Sequence, residues 1–130
     1  MTNGPEIPEE EKKKEVIKEE LRKFPTPEKL LLNKRLEVSK EDRELTKEER
    51  QALMAKFLEG SADVIKNVQK SIFYKEEPIF KEIEAEHCGA IIGTYYEALK
   101  TKDEPIFRKA REISEDLIKN APSPHTLELR

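Results

Sequence analysis

Glu84 and His87 stand three residues apart, a spacing that puts a carboxylate and an imidazole on one face of a helix, where both can reach one metal ion. Di-iron helical bundles use two such Glu-x-x-His pairs and two further glutamates. This chain has one pair, and its only other histidine is His125 near the end, so the ligand set is incomplete and no metal is expected. Cys88, next to His87, suggests a thiolate beside its base. Successive helical side chains diverge by about 100°, however, so the two do not face each other. The single cysteine reads instead as a small buried apolar group, and a lone thiol fits a reducing compartment.

Other chemistries lack their residues. The glycines Gly4, Gly60, Gly89 and Gly93 form no phosphate-cradling loop. No pair of carboxylates stands in an apolar stretch that would raise one pKa for acid–base work. No catalytic residue and no cofactor are therefore expected, and the chain reads as a non-enzymatic protein.

Contact chemistry is better represented. Tyr74, Tyr95 and Tyr96 suit surfaces that are part apolar and part wet, and Gly89 and Gly93 are spaced to let another helix or subunit approach closely. These five are the candidate protein-contact positions, with Tyr95 and Tyr96 on different faces because they are consecutive. Basic spots at Lys34 with Arg35, and at Arg108, Lys109 and Arg111, have Glu37 and Glu112 close by, which blunts attraction to phosphate. The preferred reading is a protein–protein interaction module acting through apolar helix faces: an adaptor, a regulator or a small accessory subunit. Its partner is another protein or a second copy, and a nucleic-acid-associated helical protein is the alternative.

The elements that position these residues are helices. Charged residues make up 41% of the chain, yet the net charge is only -3, so the self-repulsion that accompanies disorder is missing. No apolar alternation is bounded by hairpin turns. The run "EEEKKKEVIKEELRKF" predicts a first helix, with Glu9 to Lys13 and Glu10 to Lys14 pairing and Val16, Ile17, Leu21 and Phe24 as its apolar stripe. Thr26 and Pro27 start a second helix, whose Leu30, Leu31, Leu32 and Leu36 predict burial almost all round. Thr46 and Glu49 make a capping box for a third, with Leu53, Met54, Phe57 and Leu58 inward, ending at Gly60. Ser61 then caps a further helix with Val64, Ile65, Val68 and Ile72 inward.

"KEEPIF" (75–80) returns as "KDEPIF" (102–107), and both read as helix starts, with acids and a proline suited to the first turn and Ile-Phe beginning the buried face. From Pro78 to Lys100 the stripe Ile79, Ile83, His87, Ala90, Ile91, Tyr95, Leu99 keeps one phase through Gly89, so a single long helix is preferred over a break. Pro105 opens the last helix, with Ile106, Phe107, Ala110, Ile113, Leu117 and Ile118 inward. The second copy, residues 91–124, resembles a tetratricopeptide unit in the spacing of Gly93 and Tyr96 and in its closing proline. The longer turn and the displaced alanines make this a likeness of helix hairpins.

The expected fold is all-α, five to six helices as antiparallel hairpins in a bundle, with a short tetratricopeptide-like solenoid as the alternative. Residues 1–8 form a flexible segment, 9–120 a single domain with its main core at 61–120, and 121–130 a tail. No run approaches eighteen apolar residues and the start carries no hydrophobic segment, so a cytoplasmic or other intracellular location without membrane insertion is expected.

Overall fold

The computed structural model describes residues 8–38 and 43–120. They form five helices and no strand: α1 (Glu9–Leu21), α2 (Pro27–Val38), α3 (Lys47–Gln69), α4 (Pro78–Lys100) and α5 (Glu104–Lys119). The expectations for the first residues, the tail and His125 lie outside this range.

Local chemistry explains the starts. Thr46 Oγ1 accepts from the Glu49 backbone N–H at 3.1 Å, and the Glu49 carboxylate accepts from the Thr46 N–H at 3.0 Å, completing the capping box of α3. Arg43 grips the same carboxylate with both terminal nitrogens, at 2.7 and 2.9 Å. Those hydrogen bonds hold Glu49 down at about 2, well below the ordinary carboxylate range. Thr26 Oγ1 accepts from the Lys29 N–H at 3.2 Å and so caps α2. Prolines stand in the first turns of α4 and α5, where no N–H is missed.

α3 is the centre of the bundle and packs against α2, α4 and α5, while α4 and α5 form a hairpin of their own. Leu58, Ala62, Ile65, Cys88, Ile91, Ala98, Ile106, Ala110 and Leu117 make one core cluster. A second joins Phe24, Val64, Val68, Phe73, Phe80 and Ile83, with Ile17 and Leu21 of α1 resting on it. Its rings meet edge-on between Phe24 and Phe80, 6.1 Å apart, and tilted between Phe73 and Phe80, 5.6 Å apart. Lys109 to Glu59 at 2.6 Å and Lys66 to Asp116 at 2.9 Å tie α5 to α3 across their exposed edges.

Five features depart from the sequence reading. α3 runs unbroken through Gly60 and Ser61, which were expected to end one helix and cap another. Gly60 is a notch instead: a Cβ there would stand 3.2 Å from Leu30 Cδ2, so its absence lets α2 lie close on α3. α2 is not buried all round, because α3 lies along one side of it and α4 meets it only briefly; Leu30 is buried, but Leu32 and Leu36 are 57% and 67% exposed. Ile72 is 81% exposed, since α3 ends at Gln69 and the turn that follows sends Phe73 inward in its place. At the rims Val16, Ile79, Leu99 and Ile118 also face outward. In α1 the pairs fall at Glu9–Lys12 and Glu11–Lys14, and Lys13 reaches across to Glu77 at 3.2 Å.

α4 is one continuous helix through Gly89, so the two EPIF starts lie at opposite ends of the hairpin. The copies also differ in register. Pro78 is the first residue of α4, but Pro105 is the second of α5. Phe80 is buried and Ile79 exposed in the first copy, whereas Ile106 is buried and Phe107 half-buried in the second. Between them the chain turns through Lys102, whose φ of 59° is left-handed. The Asp103 N–H donates to the Ala98 carbonyl at 2.8 Å and the Lys102 N–H to Leu99 at 3.2 Å, a helix end usually built on glycine.

Candidate functional site

His87 is fully buried, and both its ring nitrogens are used. Nε2 lies 2.7 Å from the Pro25 carbonyl oxygen and Nδ1 3.0 Å from Ser61 Oγ. A carbonyl only accepts, so Nε2 carries the hydrogen, and in the neutral ring Nδ1 accepts from the Ser61 hydroxyl. Burial holds the imidazole below its usual pKa, against the opposing pull of the Pro25 carbonyl and the Glu86 charge. The neutral ring joins α4, α3 and the α1–α2 corner, which leaves it no lone pair for a substrate or metal.

Glu84, one turn away, is engaged elsewhere. It accepts from the Tyr74 hydroxyl, 2.9 Å from each oxygen, and from Gln69 Nε2 at 2.7 Å. The two members of the Glu-x-x-His spacing therefore serve separate hydrogen-bond sets. Burial, and after it the Glu84 charge, push the Cys88 thiol up to about 12, so it stays protonated near neutrality. Among the described residues no group of three or more His, Cys, Asp or Glu side chains is placed to hold a metal.

The five candidate contact residues are spread along the hairpin. Tyr74 is half-buried at the α3–α4 turn, with Lys81 Nζ 5.7 Å from its ring centre, and its hydroxyl is pushed up to about 12 by burial and by Glu84. Tyr95 packs on the main core while Tyr96 is exposed, and their rings still meet edge-on with centres 5.2 Å apart. They lie about 16 Å along α4 from Glu84 and Tyr74, taking about 1.5 Å per residue, so the three tyrosines form no single patch. Gly89 and Gly93 are exposed, and nothing within 4 Å would meet a Cβ at either.

A groove between α2 and α3 is the feature that the sequence reading missed. It has a volume near 670 Å³ and is lined by Leu31, Leu32, Leu45, Leu53 and Met54, with Glu28, Arg35, Glu44 and Arg50 on its rim. A second hollow of about 460 Å³ shares Leu31 and Met54 with it and continues over Phe57 and Ala90 to Gly93. Gly93 is thus the one sequence-predicted contact residue that borders this trough. The four leucines of α2 were the available signal: a helix at the edge of a bundle, with neighbours on only part of its circumference, cannot bury apolar groups on every side.

Of the five residues in the basic spots, four are matched by acids, and Arg35 has no ion pair among the described residues. Lys34 pairs with Glu37 at 3.5 Å, Lys109 with Glu59, Arg111 with Glu115 at 3.1 Å, and Arg108 with Glu104. Among the described residues, no helix is long and apolar enough to cross a membrane. No protein-family model, curated protein or solved structure matches the chain.

Proposed function

We propose that the protein is a non-enzymatic interaction module, an adaptor, regulator or small accessory subunit of a larger assembly, and that it acts through the exposed face of α2 and the groove beside it. The exposure of Leu32 and Leu36 carries this reading. Two neighbouring leucines, 57% and 67% exposed beside an apolar trough, gain roughly 1–2 kcal/mol each on full burial, which a partner can supply. The charged rim gives that contact its specificity.

The test is the double variant Leu32→Lys with Leu36→Lys, compared with the wild type in affinity capture and in light scattering. Both side chains are exposed, so the helical circular dichroism and the thermal midpoint should be unchanged while the stable contact is lost. A variant that keeps every contact of the wild type, self-association included, refutes the assignment. The nucleic-acid alternative gains no support, because acids already engage Lys34, Arg108, Lys109 and Arg111.

A further inference from the structure

The exposed face of α2 carries a charge pattern that fits its own reverse. Glu28, Leu32 and Arg35 are spaced by four and three residues, which places them on one stripe of the helix, and all three are exposed. Leu36 borders the stripe. Glu28 and Arg35 are about 10 Å apart along the axis, too far to pair with each other. Among the described residues neither has any ion-pair or hydrogen-bond partner, although Lys34 and Glu37 on the same helix find each other at 3.5 Å. The stripe therefore reads acid, apolar, base, with the leucine close to the midpoint.

Such a stripe complements itself in only one orientation. A second α2 running parallel sets Glu28 against Glu28 and Arg35 against Arg35. An antiparallel one sets each Glu28 against the other Arg35 and brings the two Leu32 side chains together in the middle. That is the arrangement a two-fold axis produces, since an isologous interface uses the same patch on both chains.

We propose that α2 is the self-association face of the protein, and that a second copy lays its own α2 antiparallel across it about a two-fold axis beside Leu32. This rests on the reading of α2 as the contact surface and names the occupant. Leu36 and the apolar walls of the neighbouring groove, Leu31, Leu45 and Met54, add apolar area next to the central contact.

The experiment is sedimentation equilibrium of the whole chain from about 10 μM to about 1 mM, a range that reaches the weak end of specific association. The wild type should approach the mass of two chains. Leu32→Lys should remain at one chain throughout. Arg35→Glu alone and Glu28→Arg alone should each weaken association about tenfold or more, because each creates two like-charged contacts across the axis. An equimolar mixture of those two variants should regain the wild-type affinity, since every acid then faces a base. Circular dichroism should show all the variants folded. A wild type that stays at one chain, or a mixture no tighter than either variant alone, overturns the proposal. If the protein is monomeric but loses a different partner on Leu32→Lys, the second copy is excluded and the interaction reading stands. If it is monomeric and no contact depends on Leu32 or Leu36, both fall.

Discussion

Lowering the pH from about 7.5 to about 5 should weaken the fold chiefly through His87, the histidine that burial holds neutral. Its folded pKa lies below the ordinary 6.5, so unfolding takes up a proton in the interval between the two values. The stabilisation is complete above 6.5 and is lost as the pH falls towards and through the folded value. One proton limits the slope to about 1.4 kcal/mol per pH unit. Glu49 does not contribute in this window: held at about 2, it keeps its full stabilisation down to its unfolded 4.5 and loses it as the pH falls from there through about 2. Ser61→Ala separates the hydrogen bond from the charge. It leaves Nδ1 buried with no partner, which costs about 1–3 kcal/mol near neutrality. It also removes the acceptor that the protonated ring would use, so acid loss should extend to lower pH than in the wild type. Urea unfolding followed by far-ultraviolet circular dichroism at a series of pH values measures both effects. A wild-type stability that is flat down to about pH 5, or a slope that survives in His87→Gln, would refute the assignment of His87 as the neutral link between Pro25 and Ser61.

Two further outcomes follow from the hairpin. Lys102→Gly should raise stability by about 0.5–1 kcal/mol, or a few degrees in thermal midpoint, because a lysine at φ 59° bears a left-handed cost that glycine avoids; an unchanged or lower midpoint in a calorimetric scan would count against it. Cys88, buried and with its thiol pushed up to about 12, should resist iodoacetamide in the native protein and react as one thiol in urea. Native labelling at a rate near that of the unfolded chain contradicts the burial.

Where a signal was local, the sequence carried it. The capping box of Thr46 and Glu49, the prolines at the starts of α4 and α5, and the unbroken phase of α4 through Gly89 all depend on residues within a turn or two of each other. The same local logic misplaced Gly60 and Ser61, because a glycine followed by a serine has the chemistry of a helix end and a cap. Their uses are tertiary: Gly60 makes room for Leu30 from α2, and Ser61 supplies a hydroxyl to His87 across 26 positions of chain. Helix interiors accept both residues at modest cost, and packing decided the outcome. The echo shows the same division. Identical letters started two helices, yet which of Ile and Phe turned inward depended on a one-residue shift in register and on the neighbouring helix.

The leucines of α2 bring this argument to function. Periodicity reports how much apolar surface a helix carries but not how many neighbours the fold will give it. α2 has apolar groups on more sides than its neighbours cover, so apolar periodicity in the sequence predicted surface that the fold leaves partly in water. The fold supplies Leu30 with the Gly60 notch and leaves Leu32 and Leu36 in water. Glu28 and Arg35, neither ion-paired among the described residues, stand on either side of Leu32. A helix that only needed solubility would gain by pairing those charges within itself, as Lys34 and Glu37 do. Setting them seven residues apart gives up that local pairing and keeps both ends available to a reversed copy of the same helix.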